Sequence, residues 1–362
     1  MITKHQVNHV SRLLKQLLQK PDFAIIGGYH GVNLGDLALG VSVRDILKKM
    51  KLRGGLQTIY NLDRWPWPVT EYAILGGGAI GYADSLARIK DRYKEDFNKL
   101  AFLGVDFNEE SYSDPIIDML QKANYVSCRN EYQAAKLVSL TNRKDISFHP
   151  DLVFSYKREL CTRLRKDEKA KILLVNIVPL YGSLKDGKML PNLSYKKERP
   201  KLYEHYDDLV KNYSESVKSI VKQHIDDGYS VETIPFTPED EEISRIVLKG
   251  VKVKHNRYTE NIDTMLLKIG TAKRVFATRY HATILAMKTG AEIIPMAYAV
   301  KNEKLLEEFG FERNKYISSD NLATKSFTAF PKPLKITTEK ISTWEMEAEQ
   351  SIEQCILNLL KK

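Results

Sequence analysis

The sequence predicts an α/β protein with two parallel sheets covered by helices, and three observations lead there. Short apolar runs alternate with segments of helical periodicity along most of the chain. The alternation breaks once, near the middle, at a charged stretch, and then begins again. At 362 residues the chain is also too long for one ordinary core.

The elements follow in order. The opening segment can place Val10, Leu13, Leu14, Leu17 and Leu18 on one helical face, with Lys15 and Lys20 elsewhere. A helix packed on its own domain is preferred to one lying on a membrane surface. Phe23–Gly27 reads as the first strand, and the glycine-rich loop 28–36 leads into a helix running to about Met50. Further strands are expected at Gln57–Leu62, Tyr72–Leu75, Ala101–Val105, Tyr125–Cys128 and Ile146–Phe148. Residues 157–171, KRELCTRLRKDEKAK, are dominated by charge without a sustained apolar period, which predicts a domain boundary.

A second series opens with Ile172–Val178. The polar stretch Tyr181–Pro200 is expected to be a mobile active-site loop. An apolar stripe from Leu202 through Tyr213 to Ile225 then predicts a long helix stopped by Gly228. Strand Tyr229–Phe236, a helix opening at Pro238, strand Val251–Lys254 and a helix near Ile262–Ile269 follow. Arg274–Ala277, a helix carried by Ala282, Leu285, Ala286 and Thr289, and the run Ala291–Met296 make a βαβ unit, with Gly290 as the helix stop. A last helix, roughly Glu345–Leu360, is expected to pack back on the first domain. The predicted organisation is two Rossmann-like domains, 1–165 and 166–335, facing across a cleft, with a C-terminal helix at 336–362.

Composition narrows the function. With 43% hydrophobic and 28% charged residues the chain is of globular type, and no apolar stretch is long enough to span a membrane. The first twenty residues lack the apolar block of a secretory signal, so a cytoplasmic address is expected. Cys128, Cys161 and Cys355 lie far apart without a CxxC or His-rich neighbour, which indicates neither a zinc site nor a disulfide framework. A formal charge of +10 points to acidic partners. The basic residues are dispersed, with no recognition-helix or aromatic-interleaved pattern, so nucleic acid is not expected.

Candidate chemistry sits where strands should give way to helices. In ATRYHATILA, residues 277–286, Arg279 and His281 flank the start of a helix, where unpaired N–H groups and the helix dipole favour an anion. Arginine offers a planar fork for carboxylate or phosphate, and an imidazole can move a proton near neutral pH. The first loop spaces Gly27, Gly28, Gly31 and Gly35 for close backbone approach, but its His30, Asn33 and Asp36 depart from the dinucleotide fingerprint. Asn33 and Asp36 are open to either a cap role or a site role. Gly76-Gly77-Gly78 follow an apolar strand and would bare N–H groups to a ligand. Arg129 and His149-Pro150-Asp151 complete a ring of polar groups at strand ends, with salt bridging as the alternative for each.

In this order the pieces resemble the polysaccharide pyruvyl transferase family. The resemblance rests on Gly28-Tyr29-His30-Gly31-Val32-Asn33-Leu34-Gly35-Asp36, on the triplet Gly76–Gly78, on Arg129-Asn130-Glu131 and on Pro150-Asp151. Late in the chain it continues with Arg279-Tyr280-His281-Ala282, Gly290, Pro295 and Tyr298-Ala299-Val300-Lys301. Glu292 stands where the family usually has proline, and Asn130 where Asp is commoner. The resemblance implies a GT-B-like architecture and transfer of a pyruvyl group from phosphoenolpyruvate to two hydroxyls of one sugar, with no metal or cofactor. It implies Arg279, Lys301 and the helix start after Thr278 as donor cations, with Tyr298 beside them, and His281 as general acid. Asp36 or Asp151 would be the base, with Asn33, Gly77, Gly78 and Arg129 orienting oxygens. The acceptor would be a sugar of a cell-surface polysaccharide or its precursor, lipid-linked, nucleotide-linked or polymeric, and the protein is expected in the cytoplasm, with peripheral association at the inner membrane face left open. A nucleotide-sugar glycosyltransferase of GT-B type and a non-catalytic glycan- or phosphate-binding protein are the alternatives.

Overall fold

The computed structural model describes residues 4–29, 32–94, 96–193, 196, 200–328 and 330–361. The chain divides into two compact units, 1–158 with 342–362, and 159–341. The breaks therefore fall at 158/159 and 341/342, seven and six residues from the boundaries expected after 165 and 335.

The first unit contains α1 (Lys4–Gln19), β1 (Phe23–Gly27), α2 (Leu34–Lys49), β2 (Gly54–Thr58), β3 (Tyr72–Gly81), α3 (Ala83–Tyr93), β4 (Leu100–Phe107), α4 (Asp114–Lys122), β5 (Tyr125–Cys128), α5 (Glu131–Thr141) and β6 (Ser147–Phe148). Its strands form one parallel sheet in the order β2-β1-β3-β4-β5-β6. Apolar residues fill both faces, as a sheet covered on two sides requires: Phe23, Ala24, Ile25 and Ile26 are all buried. Leu75, Phe102, Val126, Leu86, Met119 and Leu137 belong to its core.

The second unit contains most of α6 (Arg158–Lys166), then β7 (Ala170–Asn176), β8 (Gly182–Lys185), β9 (Lys188–Pro191), α7 (Pro200–Glu204), α8 (Tyr206–Asp226), β10 (Ser230–Thr233), α9 (Pro238–Val247), β11 (Lys254–His255), α10 (Ile262–Thr271), β12 (Ala272–Ala277), α11 (Tyr280–Thr289), β13 (Glu292–Ala297), α12 (Val300–Glu308), β14 (Ile317–Ser318) and α13 (Ser319–Leu322). Its parallel sheet runs β11-β10-β7-β12-β13-β14. The last helix, α14 (Thr338–Leu360), carries the chain back, and its residues from Ser342 onward belong to the first unit, with Trp344 edge-on to Phe154. Among the described residues no helix is long and apolar enough to cross a membrane.

Five local expectations need correction, among them the strand expected at Val251–Lys254, which is Lys254–His255 by its register with β10. The second strand is Gly54–Thr58, because its register with β1 ends at Thr58, and Ile59–Asn61 turn as a 3-10 helix. The charged stretch 157–171 is not a bare linker: α6 buries Cys161 and Leu164 on one side, too few apolar positions to show a period. The expected loop Tyr181–Pro200 folds up to Pro191 as an antiparallel hairpin, β8 with β9. Its turn is Asp186-Gly187, both in the left-handed region (φ 50° and 74°), the Asp-Gly signal of a tight hairpin. Finally, α1 buries only Leu13 of its predicted apolar face and adds Gln16, whose amide donates to the Leu56 carbonyl (2.7 Å).

Candidate active site

In an open parallel sheet, ligands bind beyond the carboxyl ends of strands where the strand order reverses. The second sheet reverses between β7 and β12. Asn176 ends β7 there, fully buried. Its Nδ2 donates to the Ile234 carbonyl (3.0 Å), while its Oδ1 accepts the Arg279 backbone N–H (2.8 Å). The Arg279 side chain donates from Nε to Asp240 Oδ2 (2.7 Å), and from Nη2 to Asp240 Oδ1 (2.6 Å) and Thr237 Oγ1 (3.2 Å). Asp240, in the first turn of α9, is fully buried and also accepts the Phe236 N–H (3.0 Å). Three strand-end turns are thus tied by one bidentate ion pair and one amide.

This revises the part expected of Arg279. A carboxylate enclosed in the unit needs charge-assisted donors, and the guanidinium fork is the geometry that satisfies both of its oxygens. That edge of Arg279 meets Asp240 and fixes the turn before α11, a structural role that the sequence did not display.

The residues beyond it are placed differently. His281 is buried in the first turn of α11, its ring edge-on to Tyr280 at 5.2 Å. The N-cap of α9, Thr237, and that of α10, Asn261, each accept a first-turn N–H through their side chains. The N-caps of α11 and α12, Arg279 and Ala299, make no such bond. These two helix starts lie at neighbouring strand ends, and Asn302 joins them by donating to the Thr278 carbonyl (3.1 Å). Lys301, on the exposed side of α12, sets its ammonium over the Tyr280 ring, 5.6 Å from the centroid. Tyr298 is half-buried, and its carbonyl accepts from the Tyr181 hydroxyl and from Ser319 Oγ (3.2 Å). Lys301, Tyr280, His281 and two uncapped helix starts therefore gather at the ends of β12 and β13.

In the first unit the order reverses between β1 and β3. Tyr29 fills the gap: it is buried, and its hydroxyl donates to the Gly76 carbonyl (2.5 Å). A Cβ at Gly27, Gly40 or Gly76 would meet that ring or its hydroxyl at 2.5, 2.8 and 2.9 Å, so these glycines make room for the aromatic side chain. Enclosure pushes the phenol well above its ordinary range, with nearby Asp36 adding to the shift. The glycine triplet lies inside β3, not after it: Gly76 pairs with Leu103 and Gly78 with Val105. Gly77 and Gly78 hold φ of 68° and 90°, and a Cβ on Gly77 would strike Leu39 at 2.7 Å. Helix packing and backbone conformation each require glycine at these positions.

Asn33 caps α2, accepting the Gly35 N–H (3.0 Å) through Oδ1, and its Nδ2 donates to Asp36 Oδ2 (2.9 Å). Asp36 is half-buried and faces Gly28, whose added Cβ would lie 3.7 Å from its oxygen. His30 and Gly31 lie outside the described residues. Arg129, buried at the end of β5, donates to Asp106 and to Asp151 Oδ2 (2.7 Å). Asp151 Oδ1 accepts the Val153 N–H (2.9 Å), making it the cap of a short 3-10 turn. Arg129 and Asp151 thus hold each other, the salt-bridge alternative that the sequence left open for both. His149 is enclosed beside them. Its Nδ1–H donates to the Pro150 carbonyl (2.8 Å), and Nε2 accepts from Ser127 Oγ (2.9 Å). Desolvation, above all, lowers its pKa below the ordinary 6.5.

A model of the family described as polysaccharide pyruvyl transferase matches residues 33–299. The chain belongs to this family. Among curated protein sequences none matches. Solved structures similar over most of the chain include a functionally uncharacterized protein of Klebsiella pneumoniae, 15% identical, covering 87% of this chain and 98% of that one at a TM-score of 0.44. A UDP-GlcNAc 2-epimerase from Methanocaldococcus jannaschii is 10% identical, covering 92% and 99% at 0.47. The E. coli heptosyltransferase WaaC is also 10% identical, covering 90% and 99% at 0.37.

The sequence motifs display Arg279, His281 and Lys301 but not the partners these residues meet in the fold. Asp240 lies in Thr237-Pro238-Glu239-Asp240, which reads as an ordinary helix start. Asn176 left a fainter mark, a lone amide closing the apolar run Ile172–Val175. Asp106 likewise interrupts an apolar strand, and Tyr29, read only as part of the glycine-rich loop, is the plug of the sheet.

Proposed function

We propose that the protein transfers the pyruvyl group of phosphoenolpyruvate onto two hydroxyls of one sugar in a cell-surface polysaccharide or its precursor, forming a cyclic ketal and releasing inorganic phosphate. The observation that supports it best is the gathering of Lys301, Tyr280, His281 and the uncapped starts of α11 and α12. Backbone N–H groups and an ammonium suit a small donor bearing a carboxylate and a phosphate.

The reaction needs four events. The donor methylene takes a proton and becomes methyl, while positive charge develops on the adjacent carbon. One sugar hydroxyl attacks that carbon, the C–O bond to phosphate breaks, and a second hydroxyl closes the ketal. Two hydroxyl protons are released; in the net balance one replaces that delivered to the methyl and the other leaves with phosphate. His281 is assigned the delivery of the first proton. Lys301 and the two helix starts hold the donor's charges. Arg279 acts through position, keeping the β12–α11 turn in place by its pair with Asp240.

Calorimetric titration with phosphoenolpyruvate, followed by phosphate release with lipid-linked and nucleotide-linked sugars, tests the reading. Lys301→Ala is expected to weaken donor binding about tenfold, the scale of one charge-assisted contact. His281→Ala is expected to lower kcat at least about a hundredfold with donor affinity nearly kept. Wild-type protein that does not bind phosphoenolpyruvate ends the proposal, and near-normal turnover by the His281 variant removes that residue from it.

A further inference from the structure

Between Val10 and Gln19 of α1, only Leu13 and Gln16 are buried among the described residues: Leu13 in the first unit's core, Gln16 by its bond to the Leu56 carbonyl on the edge strand β2. A Cβ on Gly55 would meet the Gln16 side chain at 2.5 Å, so the helix is seated closely on that edge. Its apolar sector is wider than this seat. Val10, Leu14, Leu17 and Leu18 are 42%, 55%, 44% and 84% exposed. They recur at spacings of three and four, which puts them on one continuous stripe beside the seated face.

The charge around the stripe selects its occupant. KHQVNHVSRLLKQLLQ contains no acidic residue, and Lys15 and the following Lys20 are exposed next to the leucines. The whole chain carries +10. A second copy of this helix would set lysines against lysines with no carboxylate on either to offset them. An anionic lipid surface offers both what the leucines and what the lysines need: acyl chains below and phosphate charge at the same level. The helix also precedes residue 33, where the family match begins, so it is not part of the matched region.

We propose that α1 is an interfacial anchor that seats this protein on anionic bilayers through Val10, Leu14, Leu17 and Leu18, flanked by Lys15 and Lys20. The inference is independent of the reaction assigned above. It is tested by co-sedimentation of the full-length protein with phosphatidylcholine vesicles, with or without about one third phosphatidylglycerol. Wild type is expected to partition onto the anionic vesicles at least about tenfold more than onto the neutral ones. Leu14→Glu with Leu18→Glu is expected to abolish that binding while circular dichroism and melting temperature stay unchanged, since both side chains are already exposed. Lys15→Glu is expected to lose the preference for anionic lipid. Wild-type protein that stays in the supernatant overturns the proposal. So does a double variant that binds as wild type, or light scattering that shows a dimer which the double variant dissociates.

Discussion

The two sheets reverse their strand order at different places and close the resulting gap by different means. In the first, order β2-β1-β3-β4-β5-β6, the reversal falls between β1 and β3, and one aromatic ring fills it, with glycines cleared around it. In the second, order β11-β10-β7-β12-β13-β14, it falls between β7 and β12, and the filling is polar: Asn176, Asp240 and Arg279. Each unit also encloses an arginine on a buried aspartate, Arg129 on Asp151 and Arg279 on Asp240. The first pair stands at β5, away from the reversal, and the second stands on it. A basic residue at a strand end is therefore not by itself a ligand contact. In the second unit the internal pair stands beside His281 and Lys301, the residues to which the proposed reaction assigns the chemistry.

The largest expected effects come from breaking these pairs. Arg129→Ala strands the buried Asp151 and is expected to cost about 3–5 kcal/mol, read as a shift in the denaturation midpoint. Arg279→Met should fall toward the low end of that range, about 3 kcal/mol, because its side chain is 19% exposed against 6% for Arg129. If Arg279→Met leaves stability unchanged but abolishes donor binding, the structural reading of that arginine is wrong and the sequence-based one returns.

Tyr29→Phe is the milder probe of the first unit's plug. It removes the bond to the Gly76 carbonyl and keeps the ring, so a loss of about 1–2 kcal/mol is expected, with kcat nearly unchanged. A pH series probes the enclosed histidines. Burial lowers the pKa of His149 in the first unit and of His224 in the second. The unfolded chain then takes up protons first as pH falls below about 6.5, so stability is kept above that value and lost as pH drops through it. His149→Gln should flatten the first unit's part of that loss, seen in thermal midpoints between neutral and mildly acidic buffer. The smallest effect is a null one. Burial pushes the Cys128 thiol up to about 12 and Cys355 higher still, so native protein should resist alkylation at both until it is unfolded.

Much of the architecture follows from local pattern. The α/β alternation, the stop of α11 at Gly290 (φ 74°) and the strand Tyr125–Cys128 depend on neighbours within a few residues, and each could be read directly. So could the positions of Arg279 and His281 at a helix start, and the order of motifs that places the chain in its family. The hairpin at 182–191 was also written locally, in Asp186-Gly187, although the surrounding lysines masked it.

What the chain could not display along its length was partnership. Arg279 meets an aspartate 39 residues earlier, and Arg129 one that lies 22 residues later. Tyr29 reaches a carbonyl 47 residues away. Those meetings depend on which strand lies beside which, and similar alternating patterns produced two different strand orders here. Hydrophobic periodicity states that a residue lies on a buried face or at a strand end; it does not state which end stands next to it. Only tertiary pairing decides that, and with it whether a guanidinium serves a substrate or a buried carboxylate.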